Sequence, residues 1–398
     1  MSKNSPKIFV LKTSPDTVLS DYAELMRMAE YEKKLDKTQK TILKLNLSWS
    51  KFFPACSTPP WQLEGVLKAM IEDGYDSKTL FAAENKTVVT NISRGLKGNR
   101  WAPILEKYNI WFIPLTRIPF VPYETLRKKF INYKNKELHV LDSKIFPDGF
   151  KIPKFYLNKP IIHLPTMKTH GHTGQKGGAL KHTDEYNKNG GITCSMKNAF
   201  GGLLTKRRHF SHQFMSEVLV DLLIIQKQLH PEIMAIVDGT VCGDGAGPRV
   251  MIPRIKNYIL AGYDQVAVDS VVSKMLGFEP MKLPAIKMAH DEGLGCGDFD
   301  QIEIVGEDVS DINWNFNVKR SLIIWGDQMV RKGSLRFLEP LLHNKIFFSV
   351  PILLSLVYHD AIWYPTVGKK RINQFMKTKW GNLFQSYPEG DLSNLNRF

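Results

Sequence analysis

The sequence predicts an α/β protein: mostly parallel sheet with flanking helices in two lobes, followed by a helical C-terminal extension. Three observations carry this. Apolar runs of strand length alternate with stretches of helical periodicity from Lys7 to Gly306. Glycine or proline punctuates many of the junctions. After Gly306 the alternation stops, and the remaining chain carries Trp314, Trp325, Trp363 and Trp380 among basic and apolar helical stretches.

The first lobe, residues 1–155, opens with the strand-like run Ile8 to Leu11 and a polar helix-forming stretch, Asp21 to Lys40. Thr41 to Leu47 alternates apolar with polar residues, a strand pattern. Pro59-Pro60 then starts a helix over Trp61 to Asp73, with Leu63, Val66, Leu67, Met70 and Ile71 on one face and Gly74 as its stop. Thr79 to Ala83 reads as the next strand. Strand, helix, strand predicts a parallel pair with a right-handed crossover.

The second lobe, residues 156–310, repeats this grammar. A strand ending at Leu164 leads into a glycine-rich loop; a helix spans Phe214 to Gln228, and strands cover Ile233 to Val237 and Tyr258 to Ala261, with Gly243 to Pro248 reading as a second glycine-rich loop between them. A helix over Asp264 to Leu276 ends at Gly277, and Ile302 to Val305 is the last strand. Residues 311–398 form the extension. Within it, Ile346 to Val357 is apolar, contains Pro351, and lies between Lys345 and Asp360. Spanning a bilayer takes roughly 20 apolar residues, so this segment is expected to be a buried helix, with peripheral membrane contact through 346–357 as the alternative.

The chain has 398 residues, 43% of them hydrophobic and 23% charged. That composition supplies packed cores and excludes wholesale disorder. A net charge of +15 draws anions to the surface. The lysines and arginines are dispersed, with no arginine-rich tail or interleaved aromatic motif. A small anionic ligand is therefore the expected partner, and nucleic acid the least favoured. Cys56, Cys194, Cys242 and Cys296 lie far apart without a C-x-x-C pair, so no local iron–sulfur or zinc-knuckle motif is encoded. With no hydrophobic secretion segment at the start, free thiols and a cytoplasmic location are expected.

Chemistry concentrates in one interval. Six of the eleven histidines, His163, His170, His172, His182, His209 and His212, fall between residues 163 and 212, among many glycines. Ligands of open α/β sheets gather at the carboxyl ends of strands, which aims Lys168, His170 and His172 into a cleft. Lys197, Asn198, Arg208 and His212 add further donors and cations, enough to clamp a carboxylate or phosphate. Lys44 and Asn46 occupy alternate positions of one strand and so share a face. His170 or His212 is expected to transfer protons beside Lys197, oriented by Asp238 at a strand tip. His170 and His172, with His209 or His212, also offer imidazoles to a divalent metal. Asp264 reads as a helix cap.

Together these elements resemble the domain-of-unknown-function 362 family. The matching pieces are K-x-N at Lys44 and Asn46, P-T-x-K-T-H at Pro165 to His170, and S-M-K-N-x-F-G at Ser195 to Gly201. V-D-G at Val237 to Gly239 and D-x-V-A-V-D at Asp264 to Asp269 follow in family order. Some relatives resemble fusions to iron–sulfur modules, which implies redox metabolism and, for this chain, a redox partner protein. Three readings stay open. One is an enzyme on a small anionic substrate, one a metal- or cofactor-binding protein of a redox pathway, and one a basic nucleic-acid- or membrane-binding adaptor.

Overall fold

A computed structural model describes residues 5–87, 89–130, 132–133, 135–173, 191–203, 207–319, 321–393 and 395; His182 lies outside them. The first region supplies strands β1 (Lys7–Lys12), β2 (Thr41–Lys44), β3 (Leu80–Glu84) and β4 (Trp111–Pro114). A small antiparallel pair, β5 (Phe120–Pro122) and β6 (Lys151–Pro153), stands apart. The second region adds β7 (Ile161–His163), β8 (Thr166–Thr169), β9 (Ile192–Thr193), β10 (Ile233–Ala246), β11 (Val250–Gly262) and β12 (Glu303–Gly306).

Ten of these strands join one sheet, ordered β12–β1–β11–β10–β7–β2–β3–β4, with β8 on β10 and β9 on β8. Most pairings are parallel; β11 runs antiparallel to both β1 and β10. Strands from either side of residue 155 thus share a single sheet. Alternate side chains feed opposite faces, as the period of a strand requires. Ile42 and Ile161 enter one core, and Leu43 and Ile162 the other. Parallel strands covered on both faces are largely apolar, and every residue of β2, β3, β7 and β8 is buried, Lys44, Glu84 and Lys168 included.

Helices α1 (Val18–Met28) and α2 (Pro60–Glu72) cover one face through Tyr22, Leu25, Leu63 and Val66. The short α3 (Ser195–Asn198) and the longer α4 (Met215–Leu229) and α5 (Gln265–Leu276) cover the other. The helix expected over Asp21 to Lys40 is shorter: Glu30 turns left-handed at φ 49° and breaks it. The Asp264 carboxylate caps α5, accepting from Val266 N at 2.9 Å and Ala267 N at 3.0 Å, and Gly277 closes the helix at φ 100°.

Two expectations fail. The glycine-rich stretch after Asp238 is not a loop. It continues β10 to Ala246 and forms a long hairpin with β11. The glycines there serve close packing: a Cβ on Gly243 would lie 2.9 Å from Lys168 Cβ and 2.3 Å from Met251 Sδ. The extension supplies the second correction. Helix α6 (Leu322–Lys332) is followed by α7 (Lys345–Leu356), which runs on through a π-wound stretch, Val357–Gly368, into α8 (Lys369–Phe375). Phe347–Phe375 is a 29-residue helix, long and apolar enough by length and composition to cross a membrane, yet only 11% of its most apolar stretch is buried. The expected buried helix is therefore an exposed one. The helix runs on past Asp360, whose carboxylate accepts from Trp49 Nε1 at 2.6 Å.

Candidate functional site

Lys168 lies on β8 with 1% of its surface exposed. A buried ammonium needs acceptors, and its Nζ donates to Asn46 Oδ1 at 2.7 Å and to Thr166 Oγ1. Burial nevertheless draws its pKa down to about 8. Asn46 is fixed in turn by its own backbone N–H, which donates to Thr58 Oγ1 at 2.8 Å.

Lys44, also 1% exposed, closes β2 and donates to Glu84 Oε1 at 2.8 Å and to the Leu45 carbonyl at 2.6 Å. Glu84 ends the neighbouring parallel strand β3. Arg208 comes to the same carboxylate. A Cβ placed on Gly201 would lie 3.2 Å from Glu84 Oε1, 3.5 Å from Arg208 Nη2 and 3.6 Å from Lys44 Nζ. Only Lys44 pairs with Glu84 among the described residues, while Arg208 lies within the field of that carboxylate, so Lys44 enters with its charge already paired. Asn198, buried, donates from Nδ2 to the Lys44 carbonyl at 3.0 Å and so braces the end of β2. An open depression of about 560 Å³ lined by Lys86, Asn91, Thr116 and Arg117 meets this corner at Lys86, whose carbonyl accepts from Arg208 Nη1 at 3.5 Å.

Lys197 differs from the other lysines. Its turn is pinned by Asp269 of α5, whose carboxylate accepts from Ser195 N at 2.6 Å and Met196 N at 3.2 Å. The Lys197 ammonium sits 4.8 Å from the Phe200 ring centre, and Arg208 stacks on the same ring at 4.5 Å. Among the described residues no carboxylate or hydrogen-bond acceptor meets it. Burial, then Arg208 and Lys168, pull its pKa to about 7.

The imidazoles lie alongside. His170 Nδ1 accepts from the His172 backbone N–H at 3.1 Å, which leaves the proton of the neutral ring on Nε2. Burial and the charge of Lys197 hold His170 far below its ordinary pKa, with His172, His212 and Lys168 adding to the effect. His170 therefore lies within the field of each of those four groups. His172 and His212 stack with ring centres 4.2 Å apart and planes at 11°.

Their acidic partner comes from α6. Asp327 Oδ2 is 3.3 Å from His212 Nδ1 and 3.9 Å from His172 Nδ1, and its Oδ1 accepts from Arg331 Nε at 2.8 Å. Burial works against the Asp327 carboxylate, but Arg331, His212 and His172 together hold it well below the usual range. Burial also lowers the His212 pKa, against the opposing pull of Asp327. Helix α6 is seated by Gln328, whose Nε2 donates to the Gly171 carbonyl at 2.9 Å. Gly171 permits this approach, since a Cβ there would lie 2.9 Å from Ile324 Cδ1.

Two expected roles change. Asp238 does not orient a histidine. Its carboxylate, in the core beneath α1 and α2, accepts from Tyr22 Oη at 2.7 Å, Trp61 Nε1 at 3.0 Å and Thr240 Oγ1 at 2.8 Å. The metal set His170, His172 and His209 is not assembled either. His209 Nδ1 faces Arg331 Nη2 at 3.3 Å, and its ring stacks on Phe348 at 3.6 Å. The group that does converge is His172, His212 and Asp327, whose ligand atoms lie within 4.8 Å of one another. His172 Nδ1, His212 Nδ1 and Asp327 Oδ2 are all buried without a hydrogen-bond partner. Metal bonds of about 2.1 Å at tetrahedral angles place ligand atoms about 3.4 Å apart, close to the 3.3 Å between His212 Nδ1 and Asp327 Oδ2. Sequence reasoning missed Glu84 and Asp327. An acid closing the buried strand L-F-A-A-E was a signal for Glu84; nothing local marked Asp327.

Fold and site define an α/β protein with a buried cationic corner beside an imidazole–carboxylate group. Residues 187–274, from just before β9 to near the end of α5, match the family described as Domain of unknown function (DUF362), which supports assigning the chain to that family. Comparison with curated proteins and with solved structures found no match.

Proposed function

We propose that the protein is an enzyme acting on a small carboxylate or phosphate by lysine and histidine acid–base chemistry. The observation that carries this is Lys197: a half-buried amine beside Arg208 and Lys168, with no anion or acceptor among the described residues. Leaving such a group uncompensated costs stability, and an anionic ligand removes the cost. Lys197, Lys168 and Arg208 bind the negative charge. The His170 Nε2–H donates to it, and His212, with Nδ1 turned to Asp327, presents Nε2 for proton transfer. With a pKa near neutrality, Lys197 also exchanges its proton readily. Calorimetric titration with phosphate, oxalate and short hydroxy acids tests the reading. At least one should bind to the wild type, and Lys197→Met should lose about tenfold or more in affinity. Binding unchanged in the variant, or no anion bound by the wild type, overturns it.

A second reading is favoured by the three unpartnered atoms of His172, His212 and Asp327. Two imidazoles and a carboxylate suit zinc or ferrous iron, with positions left open for substrate. Here the metal would supply Lewis acidity, while Arg331 orients Asp327. Titration of metal-free protein with Zn²⁺, and with Fe²⁺ under anaerobic conditions, should give one equivalent bound. That equivalent should disappear in His212→Ala and Asp327→Asn and persist in Lys197→Met. Failure to bind either ion leaves His212–Asp327 as a proton-transfer pair.

A further inference from the structure

Exposed apolar side chains are not scattered over this molecule. Of the large hydrophobic residues standing exposed among the described ones, 12 of 15 lie between Leu322 and Val367. Phe337 is 73% exposed, Leu322 71%, Leu353 61% and Phe347 52%. Phe347, Val350, Leu354 and Val357 follow helical spacing and form one stripe along α7 and the turn after it. A contiguous apolar surface of this kind marks an interaction site.

We infer that this face docks the protein on the surface of an anionic lipid bilayer, lying in the interface without spanning it. Charge identifies the occupant. Between Lys319 and Lys379 the sequence has eleven lysines and arginines against three acids. Two of those acids are turned inward, Asp327 to Arg331 and Asp360 to Trp49. Lys369, Lys370, Lys377 and Lys379 are exposed just beyond the apolar stripe. Apolar side chains bordered by lysines fit acyl chains beneath acidic headgroups. A second copy of the chain would instead meet this face with the same positive charge.

The second half of the long helix excludes a span. Trp363 and Phe375 are buried in the core beneath it, Tyr364 Oη donates to the Phe52 carbonyl at 3.0 Å, and Arg371 Nη1 donates to the Met251 carbonyl at 2.5 Å. What stands exposed is the outer side of the stretch Phe347 to Val357, about 15 Å long at 1.5 Å per residue. That is half the hydrocarbon thickness of a bilayer, about 30 Å, and suits shallow insertion.

The test is cosedimentation of the full chain with vesicles of phosphatidylcholine alone and of phosphatidylcholine mixed with phosphatidylglycerol. Wild-type protein should pellet with the mixed vesicles and bind neutral ones about tenfold or more weakly. Leu353→Glu/Leu354→Glu should lose binding to both by about tenfold or more. Lys369→Glu/Lys370→Glu should lose binding to the anionic vesicles alone. All four positions are exposed, so an unchanged thermal midpoint checks that the variants fold. Wild-type protein left in the supernatant with both lipids overturns the inference. So does binding that neither variant weakens, or a dimer in sedimentation velocity that Leu353→Glu/Leu354→Glu disperses. The experiment reads neither activity nor anion affinity, so its failure leaves the acid–base reading untouched.

Discussion

Lys197→Met should make the ligand-free protein more stable, although it removes a residue placed in the binding machinery. Folding lowers the Lys197 pKa from 10.5 to about 7, a difference worth about 5 kcal/mol for a fully desolvated amine. The side chain keeps some solvent contact, and screening reduces the figure to about 2 kcal/mol. Below pH 7 both folded and unfolded chains hold the proton, and the native state bears the full cost of the charge. Between pH 7 and 10.5 only the unfolded chain holds it, so the cost fades as pH rises. Methionine fills similar space without the charge. For a chain of 398 residues, about 2 kcal/mol corresponds to a rise of about 2 °C in thermal midpoint. Scanning calorimetry near pH 6 should show that rise, and near pH 9 less than half of it. The scans should be made without phosphate or carboxylate buffers, since a bound anion would stabilise the wild type. A variant that melts lower than wild type, or whose gain is equal at both pH values, refutes the claim that Lys197 is an uncompensated cation.

Glu84→Gln should be costly, about 3–5 kcal/mol in urea denaturation, because it strands the buried Lys44 without its carboxylate. Lys44→Met should cost less, since the positive field of Arg208 still acts on Glu84; equal losses would contradict that. Asp264→Ala should lower stability by about 1–2 kcal/mol, the loss of the α5 cap, with Asp264→Asn closer to wild type. Its carboxylate also accepts from Cys296 N at 2.8 Å, so hydrogen exchange should quicken at Cys296 as well as in the first turn of α5.

Much of this arrangement was legible locally. The sequence points Lys44 and Lys168 into a cleft at the carboxyl ends of parallel strands, although β2 ends at Lys44 where the pattern predicts a strand through Leu47, and Lys168 lies on β8 where it predicts a loop. Asp264 and Gly277 marked the ends of α5 because capping is a property of a few adjacent residues. The failures are all non-local. The sequence puts Asp238 at a strand tip, as a residue orienting a histidine would be, yet β10 runs on past it and what the carboxylate meets is decided by Tyr22 and Trp61 from α1 and α2. Asp327 lies more than a hundred residues beyond His212 in the chain and reaches it only because α6 folds back over Gly171. The glycines of β10 suggested a loop because glycine is usually read as backbone freedom, whereas Gly243 supplies room for Lys168. The exposed side of α7 could not be told from a buried one, since a run apolar on every face carries no orientation.

Helix α6 has two obligations. Inward it carries Asp327 and Arg331, one turn apart; outward it presents Leu322 and Trp325. A body with two such faces is a lever between them. If contact at the outer face displaces α6 by even a fraction of an ångström, the 3.3 Å separation of Asp327 and His212 changes with it. Thermodynamic reciprocity then fixes the return path. Any ligand that binds more tightly at one setting of that separation must alter affinity at the outer face by the same factor. Occupancy of the imidazole–carboxylate group and the whereabouts of the protein would then be two readings of one equilibrium.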